Sequence, residues 1–218
     1  MVDLLESQEL FFTHVPAFTD GLEGSLTARS KEHLFRWFIA HGSLPDVAQR
    51  ELEQYETHHA AFYANCWHMN DFESYLMWKA YADRGYAIRS TFERVQASFE
   101  SFTGAITGGV VSYVDFERDI TPVGNVFTHV ATKDLPYRDE REFRLFFWRH
   151  DPKNQPIEPG PVGVRVAVDI RLLVERVFVS PAEKHVPSKL LALLEQHRIP
   201  YDSSLISLRH PKKRARPL

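Results

Sequence analysis

The period of the hydrophobic pattern changes near the middle of the chain, and this change limits the folds that are possible. In the first half, apolar residues recur with helical spacing, as at Leu34 and Phe38 within residues 31–41. In the second half, the apolar segments are short, rich in Val and Phe, and typical of strands. These segments are residues 109–116, 142–148, 162–168 and 176–180. Helices followed by strands predict an α+β fold, with a mixed or mainly antiparallel sheet and flanking helices.

Length and composition favour a single domain. The chain has 218 residues, of which 44% are hydrophobic, enough to bury one core. No segment has the composition of a linker, so we expect one domain over residues 1–208. No apolar run has the length of a membrane span, and the acidic N-terminus lacks the pattern of a signal peptide. These features predict a cytoplasmic protein that does not enter a membrane.

Charge is distributed unevenly along the chain. Residues 209–218 carry five of the 26 Lys and Arg residues and no acid. The remaining residues hold 21 basic and 29 acidic side chains, so the body of the chain is acidic. An acidic body disfavours a broad nucleic-acid groove, whereas the basic end is suited to phosphates. We interpret residues 209–218 as a disordered tail, with nucleic-acid contact as the alternative.

The common catalytic and metal-binding motifs do not occur in the sequence. It has no P-loop, no dinucleotide-binding glycine motif, no zincin motif and no nucleophile elbow. The single cysteine, Cys66, excludes an intrachain disulfide and a zinc site with several thiolates. We interpret Cys66 as a small hydrophobic residue of a buried strand. The chain has 11 histidines, but their spacing supports no metal site.

The stretch CWHMNDFESYLMWKAY, residues 66–81, combines many aromatic residues with few ordinary surface residues. On a helical wheel, residues 72–83 present apolar side chains on almost every side. Such a pattern predicts a helix that the rest of the protein covers on most sides.

Glu73 is the polar residue of this stretch that most needs an explanation. Asn70 and Glu73 have the spacing of a capping box, yet Glu73 also falls inside the apolar arc of the wheel. A buried carboxylate requires a partner or a solvent-filled cavity. One interpretation is that Glu73 caps the helix and pairs with an arginine. The other is that it borders a pocket together with His68, Trp78 and Tyr81.

Two glutamates stand at the entrance of a strongly apolar strand in YRDEREFRLFFW, residues 137–148. Glu140 precedes the strand, and Glu142 shares a strand face with Arg144. One interpretation is an edge strand whose Glu and Arg side chains discourage further strand pairing. The other is a Glu-x-Glu pair that places one carboxylate over a cleft and the other on its rim.

Several segments together resemble the bacterial family called domain of unknown function 2971. LLESQELFFTHVPAFTDGLEGSL carries Asp20, Glu23 and Gly24 at the places of that family's Asn/Asp-rich loop. CWHMNDFESYLMWKAYADRGYAIRST is similar to the family's central signature, and VSYVDF, Lys133 and YRDEREFR are similar to its next markers. SPAEKHV and SSLISL are similar to its C-terminal end. The resemblance extends over most of residues 4–208.

The family's pattern is similar to that of ADP-ribosyltransferase-type folds, and this similarity implies a nucleotide ligand. In such folds a glutamate on a late strand hydrogen-bonds a ribose hydroxyl of NAD, and Glu142 stands at the matching place, with Glu140 beside it. Trp78 or Tyr81 would stack on nicotinamide, and Arg89 would face a phosphate. A fixed carboxylate stabilises the cationic transition state through which a glycosidic bond breaks.

Three hypotheses for the function result from these patterns. The first is an ADP-ribosyltransferase-like enzyme that acts on NAD or a related nucleotide as substrate, in phage defence or a toxin system. The second is a non-catalytic interaction or nucleic-acid-sensing module, and the third is a metal-dependent nuclease or other hydrolase that uses Glu73, Glu140 and Glu142. The sequence firmly implies no bound cofactor. The candidate site comprises catalytic Glu140 and Glu142 and substrate-binding His68, Glu73, Trp78, Tyr81, Arg89 and Arg144.

Overall fold

The computed structural model describes residues 1–206, which form two compact units. Unit 1 consists of residues 1–9, 70–101 and 167–206, and unit 2 consists of residues 10–69 and 102–166. Both units combine helices with strands, so the α+β prediction is confirmed. The single domain over residues 1–208 stays a prediction. The basic tail, residues 209–218, lies outside the described residues.

Short helices and short strands alternate along the described chain. The helices are α1 Val2–Ser7, α2 Ala28–Ala40, α3 Pro45–Glu56, α4 Tyr75–Tyr81, α5 Phe92–Ala97, α6 Ile170–Leu173 and α7 Ser188–His197. The strands are β1 Glu9–His14, β2 Phe62–His68, β3 Tyr86–Arg89, β4 Thr107–Val110, β5 Ser112–Val114, β6 Thr132–Asp134, β7 Glu142–Trp148, β8 Gly163–Ala167, β9 Arg176–Val179 and β10 Tyr201–Ser203. Turns of 3-10 helix lie at Val15–Ala17, Thr57–Ala61 and Leu135–Glu140.

Unit 2 is built on a five-stranded sheet with the order β4–β7–β2–β1–β8. Strand β7 pairs antiparallel with β4 on one side and with β2 on the other, and β2 pairs antiparallel with β1. The β2–β7 ladder runs from Phe62 opposite Trp148 to His68 opposite Glu142. The predicted strand at residues 142–148 coincides with β7. Because β7 has a neighbour on each side, the edge-strand interpretation is wrong.

Helices α2 and α3 of unit 2 pack together through a small apolar cluster. Thr27 caps α2 by accepting a hydrogen bond from the Ser30 backbone N–H at 3.1 Å, and Pro45 occupies the first turn of α3. Leu26, Leu34 and Leu52 are buried in this cluster. Each buried leucine contributes about 2 kcal/mol to the free energy of unfolding.

Unit 1 contains a three-stranded sheet with the order β10–β9–β3, in which β9 pairs parallel with β10 and antiparallel with β3. Helix α1 packs against α7, and Leu5 and Leu190 are fully buried. His197 Nε2 donates a hydrogen bond to the Leu5 carbonyl at 2.9 Å. No helix within residues 1–206 has the length and apolar character needed to cross a membrane.

Some predicted strand ends differ from the structure by a few residues. The segment predicted as a strand over residues 109–116 contains the end of β4, Thr107–Val110, and β5, Ser112–Val114. The strand predicted over residues 176–180 ends one residue earlier, at Val179. Thr91 caps α5 by accepting a hydrogen bond from the Arg94 backbone N–H at 3.3 Å.

Candidate functional site

Five charged side chains of unit 2 come together in its interior, and we call them the ionic cluster. They are Glu23, Lys133, Glu140, Glu142 and Arg144. Their backbone positions lie in the loop after β1, on β6, at the end of a 3-10 helix and on β7. Every one of these residues lies in a segment that resembles the family pattern. Glu23 and Lys133 are nevertheless missing from the predicted site.

Arg144 is the most deeply buried member of the ionic cluster, at 1% exposure. Its Nε donates to Glu142 Oε2 at 2.6 Å, because residues two apart on a strand share one face. Its two terminal nitrogens form a two-pronged pair with Glu23 at 2.8 Å each, and one of them also donates to the Val130 carbonyl. The guanidinium lies over the Phe18 ring, 5.5 Å from its centre. This is the planar, two-pronged geometry that arginine provides and lysine does not.

Gly24 allows Glu23 to reach Arg144. The backbone of Gly24 has φ +76°, which other residues adopt only with strain. A Cβ atom at this position would lie 2.6 Å from the Cβ of His59, so there is also no room for a side chain. The loop that carries the Glu-Gly pair therefore depends on both residues.

Lys133 connects the three carboxylates of the ionic cluster. Its Nζ lies 2.5 Å from Glu140, 2.7 Å from Glu142 and 3.3 Å from Glu23. The ammonium group also lies 4.8 Å from the centre of the Tyr137 ring. Lys133 donates hydrogen bonds to Glu140 and Glu142, whereas its contact with Glu23 is an ion pair. Two of the three N–H donors of the ammonium group therefore have carboxylate acceptors.

Electrostatic interactions within the ionic cluster keep Glu142, Lys133 and Arg144 charged. Burial by itself raises the pKa of Glu142, but hydrogen bonds led by the one from Arg144 outweigh burial and hold this pKa at about 2. Burial lowers the pKa of Lys133 and of Arg144, yet their carboxylate partners raise both values above the ordinary ones. Near neutral pH, Glu142 is therefore a fixed negative charge and not a proton donor.

Glu140 is the most accessible carboxylate of the ionic cluster. Its side chain is 17% exposed, against 6% for Glu142 and 3% for Glu23. His68 Nδ1 donates a hydrogen bond of 2.6 Å to the Glu140 carbonyl, which fixes the backbone at this point. With its proton on Nδ1, a neutral His68 has an acceptor at Nε2, and this buried atom has no hydrogen-bond partner within residues 1–206. Tyr113 Oη accepts a hydrogen bond from the Glu142 backbone N–H at 2.8 Å.

A second polar group, which we call the Glu73 cluster, lies in unit 1. Glu73 accepts hydrogen bonds from Trp78 Nε1 at 2.9 Å, from the Leu205 backbone N–H at 2.8 Å and from the Ser204 hydroxyl. Burial raises the pKa of Glu73, but these hydrogen bonds outweigh burial and lower it below its ordinary value. No arginine within residues 1–206 pairs with Glu73, and the groups that satisfy this carboxylate there are neutral.

Helix α4 differs from the predicted helix in its start and in its burial. Ser74 is the cap and accepts a hydrogen bond from the Met77 backbone N–H at 3.3 Å, so the predicted capping box of Asn70 and Glu73 is wrong. Trp78 is buried at 6% exposure, but Leu76 and Tyr81 are each 64% exposed. The prediction of a helix covered on most sides is therefore also wrong.

Arg89 has a carboxylate partner of its own in unit 1. It ends strand β3 and pairs with Glu175 at 2.5 Å, above the Phe178 ring at 5.7 Å. A phosphate at this guanidinium would have to compete with Glu175. Its assignment to a phosphate stays a prediction.

The eight predicted site residues fall into two groups of four. Unit 2 brings together His68, Glu140, Glu142 and Arg144, which contact one another through side chains or backbone. Unit 1 contains Glu73, Trp78, Tyr81 and Arg89, of which Glu73 and Trp78 are in direct contact. The structure therefore supports a candidate site on the residues of unit 2.

Cys66 lies opposite Arg144 in the β2–β7 ladder and keeps exposed surface. The prediction that it is buried is wrong. The protein around the sulfur still desolvates the thiol and raises the pKa of Cys66 to about 12. The thiol is therefore protonated near neutral pH and is a poor nucleophile.

The carboxylates of the ionic cluster are not arranged to bind a cation. No group of three or more His, Cys, Asp and Glu residues that could hold a metal ion occurs in residues 1–206. Lys133 and Arg144 occupy the positions between the three glutamates that a metal would need. This arrangement does not favour the metal-dependent nuclease among the three hypotheses.

Comparison with known proteins found no match: no protein-family model, no curated protein and no solved structure matches the chain. The resemblance to domain of unknown function 2971 stays a prediction that rests on the quoted segments.

Proposed function

We propose that unit 2 carries an ADP-ribosyltransferase-like site that breaks the bond between nicotinamide and ribose in NAD or a related nucleotide. The observation that carries the proposal is the graded exposure of the three glutamates, with Glu140 the most accessible and Glu23 and Glu142 inside. Two buried cations hold these carboxylates in place. A fixed carboxylate at the edge of a water-poor interior is suited to a developing positive charge.

The reaction needs a negative group and an acceptor. The bond between C1′ of the ribose and the nicotinamide nitrogen breaks, and both electrons leave with nicotinamide, which becomes neutral. The ribose carries the positive charge until water or an acceptor hydroxyl adds at C1′ and loses its proton to solvent. Glu140 would stabilise the cationic ribose and accept a hydrogen bond from one of its hydroxyl groups.

The resemblance implies that Glu142 is the catalytic glutamate, but in this proposal Glu142 has a positioning role. Both of its carboxylate oxygens are engaged, one by Lys133 and one by Arg144, and the residue is 5% exposed. We therefore assign Glu140 as the catalytic residue and Glu142 as a positioning residue that acts through Lys133.

The wider setting of the proposal comes from the resemblance. It includes a bacterial origin, a cytoplasmic location and a role in phage defence or a toxin system. The chemistry assigned to Glu140 depends on unit 2 alone. Stacking of nicotinamide on Trp78 or Tyr81 is not needed for it.

Release of nicotinamide from NAD at high enzyme concentration tests the proposal. We expect Glu140→Gln to lower the rate by about 100-fold or more, because the fixed negative charge is lost. Asp139→Asn is the matched control, since it removes a neighbouring exposed carboxylate and should leave the rate unchanged. Absence of NAD cleavage by the wild-type protein, or equal rates for the two variants, would contradict the proposal.

A non-catalytic binding module is the second candidate function. It is favoured by the pairing of Lys133 and Arg144 with the buried glutamates, since an ionic cluster whose charges are paired with one another also serves as a structural support. In that case NAD is not cleaved, and Glu140→Gln changes stability without changing any turnover.

A further inference from the structure

Unit 2 contains a pocket at the opposite end of the β2–β7 ladder from the ionic cluster. Phe62 and Trp148 pair at that end, whereas His68 and Glu142 pair at the other. Six residues of extended strand separate the two ends by roughly 20 Å. A pocket of about 390 Å³ opens beside Phe62 and Trp148, within the size range of small-molecule sites.

Aromatic side chains provide flat surfaces in this pocket. The indole of Trp148 is stacked on Phe62, with ring centres 5.9 Å apart, and Phe127 packs against it at 6.0 Å. These contacts fix the indole before any ligand arrives. His150 stands edge-on to Trp148 at 6.1 Å, and both line the pocket. Such a surface is suited to a planar aromatic ligand, because any aromatic ring can stack on the face of a tryptophan indole.

Arg149 supplies positive charge at the same place. Arg149 is exposed and lines the pocket. Its guanidinium makes no ion pair with any carboxylate of residues 1–206. Four other arginines of unit 2 are paired with carboxylates, among them Arg36 with Glu32 and Arg144 with Glu23. An unpaired guanidinium beside an aromatic surface is suited to a phosphate, which it contacts through two parallel hydrogen bonds.

His58 offers a further polar atom on the wall of this pocket. This residue lines the pocket, and its buried Nδ1 has no hydrogen-bond partner in the described part of the chain. Buried polar atoms without partners are rare in folded proteins and call for an explanation such as a bound molecule. Gln54 and Thr57, also on the pocket wall, offer hydrogen-bonding groups for sugar hydroxyls.

We infer that this pocket binds a nucleoside monophosphate, with the base against Trp148 and the phosphate at Arg149. The inference does not rest on the proposed NAD cleavage, since it involves none of the residues of the ionic cluster. The pocket would then be a second nucleotide site on unit 2.

Calorimetric titration of the full chain with AMP tests the inference, with adenosine and ribose 5-phosphate as half-ligands. We expect AMP to bind and each half-ligand to bind at least about tenfold more weakly, because each lacks one of the two recognised groups. Arg149→Gln should weaken AMP binding about tenfold and leave adenosine binding unchanged, since it removes the phosphate contact alone. Arg36→Gln is the control with the same charge change, and it should bind AMP as the wild type does.

Three results would overturn the inference. They are no AMP binding up to millimolar concentration, equal binding of AMP and adenosine, and equal AMP binding by Arg149→Gln and the wild type. Glu140→Gln should bind AMP normally. This variant therefore distinguishes a wrong assignment of the pocket from a wrong assignment of NAD cleavage to Glu140.

Discussion

The ionic cluster of unit 2 and the Glu73 cluster of unit 1 each satisfy an acidic side chain, buried Glu142 and half-buried Glu73, but by different means. In unit 2, Glu142 has two cationic partners, Lys133 and Arg144. In unit 1, Glu73 has a tryptophan, a serine and a backbone N–H as partners. Neutral donors satisfy a carboxylate without placing a second charge in the interior. A pair of opposite charges interacts more strongly than a carboxylate with neutral donors. Removal of one partner of such a pair, however, leaves the other as an unpaired buried charge, which is costly.

The difference indicates which cluster is suited to chemistry. The Glu73 cluster fastens residues 204 and 205 to the start of helix α4, which is a structural task. The ionic cluster holds three carboxylates against two cations and places one of the carboxylates nearest solvent. That arrangement holds the Glu140 carboxylate against a buried ammonium group at the accessible edge, a position suited to stabilisation of a cation.

Removal of Arg144 should have the largest effect on stability. We expect Arg144→Met to lower the free energy of unfolding by about 3–5 kcal/mol, because Glu23 and Glu142 would remain buried without their cation. Urea-induced unfolding followed by circular dichroism measures this change. Arg36→Met is the control, since Arg36 forms an exposed pair with Glu32, and its loss should cost about 0.5 kcal/mol or less. A loss below about 1 kcal/mol for Arg144→Met would show that the ionic cluster is not the interior support described here.

Acid should weaken the ionic cluster within a defined pH range. The pKa of Glu142 is about 2 in the folded protein, against 4.5 for the free side chain, so its ionised form stabilises the fold above pH 4.5. This stabilisation, on the order of 3 kcal/mol, is lost as the pH falls from about 4.5 towards 2. Urea unfolding of the wild type and of Glu142→Gln at several pH values measures it. The variant should lose less stability across this range, and parallel curves for the two proteins would count against the assignment.

Disruption of the Glu73 cluster should have the smallest effect of the three. We expect Glu73→Ala to lower the free energy of unfolding by about 1–3 kcal/mol, because the Trp78 indole and the Leu205 N–H lose their acceptor. Glu100→Ala, at an exposed position of the same unit, is the control and should change little. Amide hydrogen exchange at Leu205 gives a second readout, since this N–H should exchange faster in Glu73→Ala. Unchanged exchange there would mean that Glu73 does not hold this segment.

Strand β7 could be predicted from the sequence, but its place in the sheet could not. The alternation of Phe and Leu with charged residues marked residues 142–148, and β7 has these bounds. Pairing with β4 and β2 depends on segments far away in the chain, which local periodicity does not report. The same limit explains why Glu23 was missed, since it lies 121 residues before Arg144.

The errors at α4 have local causes. Ser74 competes with Asn70 as the cap, and a serine hydroxyl satisfies the backbone N–H groups of a helix start as well as an asparagine side chain does. The helical wheel placed apolar side chains on almost every side of the helix, and the prediction assumed that each of these sides is covered. Leu76 and Tyr81 show that this depends on the surrounding structure, which the wheel does not contain.

The central claim is that the two glutamates at the entrance of β7 have divided roles, Glu142 holding the interior and Glu140 facing the reaction. The free energies of unfolding of Glu142→Gln and Glu140→Gln test it most directly. Glu142→Gln should be the less stable variant by at least about 1.5 kcal/mol, because its buried amide N–H₂ would face Lys133 or Arg144, whereas the amide at position 140 can turn towards solvent. Equal stabilities, or a less stable Glu140→Gln, would contradict the division of roles.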